Sequence, residues 1–136
     1  MVYELSFNKE FVYDSREKGI TLPISLKLAG QTVSLNAKVD TGASCCIFER
    51  KYAEDLGIDV ESGIEQRVET VMGIFTTYGH DVTISALDYD FDCTAYFAAN
   101  EAFTRNVLGR VGWLDRVKLA IIDYECKLYL SSYDEL

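Results

Sequence analysis

Apolar and polar residues alternate in short runs along most of this chain, the signature of half-buried strands. Residues 2–13 alternate loosely through Tyr3, Leu5, Phe7, Phe11 and Tyr13 and predict one or two short strands. A polar turn at 14–19 follows. Residues 20–28 put Leu22, Ile24, Leu26 and Leu28 on one face, and Ala29-Gly30-Gln31 turns the chain into a strand over 32–39. There Leu35, Ala37 and Val39 alternate with Ser34, Asn36 and Lys38. Residues 45–48 read as a short buried strand. Residues 49–56 break the two-residue period, because Tyr52, Ala53 and Leu56 share one side of a short helix that Gly57 stops. Beyond it, 66–72 and 74–78 predict a hairpin about Gly73, and 82–89 and 91–97 predict two strands joined at a Tyr89-Asp90 corner. Residues 98–104 read as loop, and 106–110 as a buried strand ending at Gly109. One helical turn over 111–116 carries Trp113 and Leu114, before strands at 117–122 and 127–130 joined by a turn at 123–126. With eight to ten strands, one or two short helices, no repeat and no linker, the chain predicts a single mainly β domain over 1–136. Its strands should be mostly antiparallel and rolled into a compact barrel.

The strand over 32–39 runs straight into Asp40-Thr41-Gly42-Ala43-Ser44. A carboxylate at the end of an apolar strand is costly unless something nearby needs it. Thr41 can tie the loop down through its hydroxyl, and Gly42 lets a ligand or another backbone come close. An Asp-Thr-Gly triplet alone arises by chance in roughly a few per cent of chains this long. A strand end with a solvated Asp is the plain alternative.

Composition narrows the rest. Nine Tyr, seven Phe and one Pro in 136 residues suit one folded β-rich domain. A net charge of −9 with scattered Lys and Arg excludes nucleic-acid and anionic-membrane partners. The four cysteines, Cys45, Cys46, Cys93 and Cys126, form no CxxC pair and have no His at metal spacing, so they read as reduced, mostly buried thiols. No metal or cofactor is expected. The opening residues lack a signal-peptide pattern and no apolar run approaches a membrane span of about 18 residues, so a soluble, cytoplasmic protein is expected. His80, in a predicted turn after Tyr78-Gly79, is expected to face solvent. Asp88-Tyr89-Asp90-Phe91-Asp92 lacks the glycine and closing Glu of a calcium loop and reads as a strand corner with solvated acids. Trp113 reads as a core or interface anchor.

Three landmarks stand in a definite order. An apolar hairpin runs into Asp40-Thr41-Gly42-Ala43-Ser44, a hairpin about Gly73 follows, and Val107-Leu108-Gly109 is succeeded by Arg110 and a short helix. This order resembles the retropepsin-like aspartic proteases, the family of the retroviral proteases and their bacterial relatives, over about residues 20–130. Asn106-Val107-Leu108-Gly109-Arg110 with Gly112-Trp113-Leu114-Asp115 is similar to the bacterial branch in particular. The resemblance implies a closed antiparallel β-barrel of the retropepsin type and an aspartic endopeptidase acting on peptide or protein substrates.

It also implies half an enzyme per chain, because no second Asp-Thr-Gly or Asp-Ser-Gly occurs and Glu61-Ser62-Gly63 is a poor echo. A homodimer would then bring Asp40 from each copy to a two-fold axis. On this resemblance Asp40 is the catalytic acid and base, Thr41 bonds across the axis and Gly42 admits substrate backbone. Ala43 and Ser44 line the cleft, and Met72, Gly73 and Ile74 form the tip of a flap over it. Val107, Leu108, Gly109 and Arg110 support the site from beneath. Retroviral members often carry an acid where Ser44 stands, paired with the Arg after the late glycine; here Asp115 is the acid left to serve Arg110. Their dimers also lean on interleaved chain ends, whereas residues 131–136 are a short acidic tail. Two other readings compete: a catalytically silent retropepsin-fold module for peptide binding or assembly, and a thiol redox domain using Cys45 and Cys46.

Overall fold

A computed structural model describes residues 1–135. Among the described residues, ten strands and one short α-helix carry the fold. The strands in chain order are β1 (Lys9–Val12), β2 (Thr21–Leu28), β3 (Gln31–Val39), β4 (Ile47–Phe48) and β5 (Ile64–Thr70). They continue with β6 (Gly73–Ala86), β7 (Tyr89–Ala98), β8 (Val107–Leu108), β9 (Val117–Ile122) and β10 (Lys127–Ser132). The helix α1 (Arg50–Asp55) ends where Gly57 takes a φ of 77°. Seven strands pair in the order β2-β3-β8-β4-β7-β6-β5, and β2 also pairs with β6, so the pairings of six of them run in a ring. A separate three-stranded sheet has the order β1-β10-β9.

The strands pair mostly antiparallel, as expected, with two short parallel exceptions, β3 with β8 and β4 with β7. Each joins segments far apart in sequence, and the pattern within a strand says nothing about the direction of its neighbour.

β2 and β3 show how alternation becomes a core. Leu22, Ile24 and Leu26 are buried opposite Ala37, Leu35 and Val33, and the two-residue Ala29-Gly30 turn fixes that register. Both turn residues have positive φ, 49° and 81°, as a tight hairpin twisted with its strands requires. These side chains meet Val82, Ile84 and Ala86 from β6, Phe91, Ala95 and Phe97 from β7, and the fully buried Trp113. A second, smaller cluster gathers Cys45, Ile47, Ala98, Phe103 and Val107, with Ala43, Val68, Phe75 and Tyr96 packed against it.

Several boundaries differ from expectation. Residues 2–7 form no strand, so the N-terminal alternation yields only β1. β6 runs unbroken for 14 residues through Tyr78-Gly79-His80, where a turn was expected. Gly79 is there for packing: a Cβ at that position would lie 2.8 Å from the Tyr96 ring. His80 is half-buried, and its Nε2 donates to the Val60 carbonyl at 2.8 Å, tying β6 to a turn instead of facing water. The β6–β7 corner is Leu87-Asp88, two residues before the expected Tyr89-Asp90, with φ of 49° and 68°. A leucine in the left-handed region costs about 1–2 kcal/mol, and nothing in the local sequence announces it.

Candidate active site

Two crossing segments build the loop that holds Asp40. Val39 pairs in parallel with Leu108, and the Asp40 N–H donates to the Leu108 carbonyl at 3.0 Å. The chain then turns back on itself. Asp40 Oδ1 accepts the Gly42 N–H at 2.9 Å, and its backbone carbonyl accepts the Ala43 N–H at 3.2 Å. Asp is suited to this position because its short carboxylate reaches the amide two residues on. On the far side of the crossing, the Arg110 N–H donates to the Ala43 carbonyl and the Val111 N–H to the Ser44 carbonyl, both at 2.9 Å. Between these bonds lies Gly109. A Cβ there would stand 2.0 Å from the Cys45 carbonyl oxygen and 2.9 Å from that of Ala43. Only glycine lets the two backbones cross so closely.

Asn106 anchors the second segment. Its Nδ2 donates to Glu49 Oε2 at 2.7 Å, its Oδ1 accepts the Glu49 N–H at 3.0 Å, and its carbonyl accepts the Lys38 N–H at 2.9 Å. Sequence reasoning had placed this residue in a buried strand without assigning it a role. Its reciprocal bonds to Glu49, far away in the chain, leave no local signal.

The outcome is an acid presented outward on a rigid support. Asp40 is half-buried, while Thr41, Gly42 and Ser44 are exposed and Ala43 turns toward the second hydrophobic cluster. Among the described residues the Asp40 carboxylate is hydrogen-bonded to no second carboxylate, and no cluster of His, Cys, Asp and Glu is placed to hold a metal ion. Val107, Leu108, Gly109 and Arg110 thus lie against the Asp40 loop.

Met72, Gly73 and Ile74 stand apart from the loop, at the tip of the β5–β6 hairpin. Thr70 Oγ1 fastens that tip, accepting the Met72 N–H and donating to the Gly73 carbonyl, each at 3.1 Å. Val71, Met72 and Ile74 are 95%, 77% and 64% exposed, an apolar tip that nothing among the described residues covers. Two pairs behind the tip the hairpin is held differently: Val68 and Phe75 pack with Ala43, Ile47 and Phe103 in the second cluster. That cluster is the physical link between the β5–β6 hairpin and the acid loop.

Arg110 and Asp115 are joined through the backbone, Asp115 N–H to Arg110 carbonyl at 2.9 Å, and not as an ion pair. The Asp115 carboxylate is occupied by the Gly112 N–H at 3.0 Å, at a turn where Gly112 has a φ of 106°. A surface groove of the chain lies elsewhere. It is lined by Lys27, Gln31, Asp81, Cys93, Asp115 and Arg116, and Asp40 is not part of it.

The cysteines are free. Burial pushes the Cys45 thiol up, Cys46 to about 12 and Cys93 to about 11, so thiolate is scarce at neutral pH. Both the burial and the raised thiol values count against a thiol redox centre at Cys45 and Cys46.

The sequence profile described as "Aspartyl protease" matches residues 24–110, from β2 through the Asp40 loop to Arg110. The chain belongs to the aspartyl protease family. It is an aspartic peptidase, and its fold is found among solved retropepsins. A retropepsin-like aspartic protease from Rickettsia conorii is 19% identical over 91% of this chain and 99% of its own, with a TM-score of 0.64. EIAV protease, solved with the inhibitor HBY-793, is 22% identical over 73% of this chain and 88% of its own, with a TM-score of 0.55. No curated protein matches the sequence. Among the described residues no helix is long and apolar enough to cross a membrane.

Proposed function

We propose that this aspartic peptidase is an endopeptidase that works as a homodimer, with Asp40 of each copy forming one catalytic pair. The observation that carries the reading is a single acid loop, braced beneath by Leu108 and Gly109 and open above at Thr41, Gly42 and Ser44. As in aspartic proteases generally, two carboxylates about 3 Å apart cannot both ionise and share one proton. The ionised member takes a proton from water as that water attacks the scissile carbonyl, while the protonated member donates to the carbonyl oxygen. The protons belong to the pair and not to either residue.

The remaining residues take the roles that the resemblance implies. Thr41, exposed and without a hydroxyl partner among the described residues, bonds across the two-fold axis. Gly42 admits substrate backbone beside the acid, and Ala43 and Ser44 line the cleft. The apolar tip at Met72, Gly73 and Ile74 closes over bound peptide and excludes water. Val107 to Arg110 hold the loop from below. Four unbridged cysteines suit the reducing cytoplasm.

Asp40→Asn tests this directly. The variant should lose peptide turnover and keep the thermal midpoint and oligomeric state of the unmodified protein. Turnover that survives the change removes Asp40 from the chemistry, and a sedimentation profile that stays monomeric at every concentration removes the pair. One observation favours a rival, a silent peptide-binding module: Arg110 has no carboxylate partner among the described residues where retroviral members pair theirs. Peptide binding without cleavage by the unmodified dimer is the result that would select it.

A further inference from the structure

Eight of the 13 Lys and Arg side chains are ion-paired with a carboxylate, and Lys118 donates to the Ser6 carbonyl. The others, Lys18, Lys38, Arg105 and Arg110, are exposed and pair with no carboxylate among the described residues. In a chain with 22 acids for 13 cations, unpaired cations are the scarce species. These are scattered in sequence, yet the fold gathers them.

Three backbone segments meet at the acid loop and carry all of them. The Val39 N–H donates to the Ile20 carbonyl at 2.8 Å, and the Lys38 N–H to the Asn106 carbonyl at 2.9 Å. The Arg110 N–H donates to the Ala43 carbonyl at 2.9 Å. Lys38 stands two residues before Asp40 on the exposed side of β3, where Ala37 and Val39 are the buried residues. Its stem lies along Gly19, whose added Cβ would come within 2.6 Å of Lys38 Cε, and Lys18 is the adjoining residue. Arg105, next to Asn106, flanks Lys38 from the other side. Arg110 braces the loop with its backbone and leaves its side chain exposed, while the Asp115 carboxylate is engaged by the Gly112 N–H. Glu17 and Glu101, the acids nearest to Lys18 and Arg105 in the chain, are exposed and pair with none of the four.

This positive rim acts on the peptide that reaches Asp40. A net-negative protein repels acidic segments from afar, but uncompensated cations beside the cleft attract them within a Debye length of about 8–10 Å. An extended peptide rises about 3.3 Å per residue, so cations this close to Asp40 oppose substrate side chains about one to three residues from the scissile bond. Two-fold symmetry sets one such group on each side of the cut.

We propose that Lys18, Lys38, Arg105 and Arg110 make this peptidase acid-selective, cutting peptides that carry Asp or Glu within about three residues of the scissile bond. The proposal rests on the Asp40 pair and names the substrate class of that site. Exposed ion pairs are weak, about two- to fivefold in affinity each, so the selection comes from several acting together.

Digestion of a defined mixture of synthetic peptides, with cut positions read by mass spectrometry, is the first test. Asp and Glu should be enriched on both sides of the cut. Matched fluorogenic peptides with Glu or Gln at an enriched position should differ about tenfold in kcat/KM at low salt, and the ratio should shrink toward one in about 1 M salt. Lys38→Gln with Arg105→Gln should lower that ratio about fivefold, and Lys38→Arg with Arg105→Lys should keep it. Because a ratio is read, a general loss of activity does not imitate the effect. Cut sites without acidic enrichment, or a ratio that survives neutralisation or high salt, overturn the proposal while an inactive Asp40→Asn leaves the Asp40 pair standing. Neutralisation that weakens the dimer in sedimentation and spares the ratio assigns the cations to the contact between copies and also overturns it. Turnover surviving in Asp40→Asn overturns both. Where the unmodified protein cuts nothing, fluorescence anisotropy decides: a labelled peptide with several Glu residues should bind more tightly than its Gln counterpart, and equal binding overturns acid selection.

Discussion

Gly109 and Gly42 lie on opposite sides of the same loop, and alanine at each should fail in a different way. At Gly109 the new Cβ would stand 2.0 Å from the Cys45 carbonyl oxygen and 2.6 Å from its carbon. Both obstacles are backbone, so no rotamer change relieves them. Reaching ordinary contact at 3.4 Å means parting the crossing segments by more than 1 Å, which breaks the bonds from Arg110 to Ala43 and from Val111 to Ser44. Two such bonds contribute about 1 kcal/mol each. Overpacking adds about 1–3 kcal/mol. The sum, about 3–5 kcal/mol, is a large part of the roughly 5–15 kcal/mol that holds a domain together. For a chain this size it corresponds to a fall of about 10–15 °C in thermal midpoint. At Gly42 the sole neighbour of an added Cβ is Asp40 Oδ1 at 3.3 Å, and the backbone is not in the left-handed region. Gly42→Ala should therefore leave the midpoint within about 3 °C of the unmodified protein while peptide turnover collapses, because its methyl occupies the open side of the acid. Calorimetry and a fluorogenic peptide assay on both variants read the two effects separately. A Gly109→Ala protein that melts normally and still cuts peptide would refute the crossing as the support of the site.

Two further outcomes follow from the packing and the charges. Phe103 is buried and meets Phe75 edge-to-face at 5.1 Å, so Phe103→Ala should cost about 3–5 kcal/mol in denaturant unfolding and speed amide exchange at Val68 and Phe75 before it does so in β2. The pH profile of the melting temperature should fall at both ends. Glu61, held down by its hydrogen bonds from Arg50, and Glu135, held down by Tyr89, titrate below the ordinary carboxylate range. Because the unfolded chain takes up those protons first, their contribution is present above the usual Glu pKa and is lost as pH drops through the lowered folded values. Tyr13, raised to about 12 by burial and its bond to Asp123, acts in the opposite sense: its share is intact below the usual tyrosine value and is lost as pH climbs toward 12. Tyr13→Phe should flatten the alkaline limb and leave the acid limb unchanged; an unchanged alkaline limb would remove Tyr13 from this account.

What the sequence disclosed and what it hid divide along one physical line. Period-two alternation decides which side chains of a strand are buried, so β2, β3 and the Ala29-Gly30 turn were legible almost residue by residue, and α1 with its Gly57 stop was too. Asp40 stood out because a carboxylate closing an apolar strand asks for a reason. Side chains whose meaning depends on a distant partner were opaque. Gly79 looks like a turn until Tyr96 is laid across it, and His80 looks solvated until Val60 supplies a carbonyl. Asp115 seemed free for Arg110 until Gly112 claimed it. Backbone strain is equally silent, since Leu87 carries no mark of its positive φ. The same division holds for β9. In the sequence, Val117 to Ile122 is one more apolar strand, and only the Tyr133 N–H on the Arg116 carbonyl shows that Lys118, Ala120 and Ile122 are the residues bonded to β10.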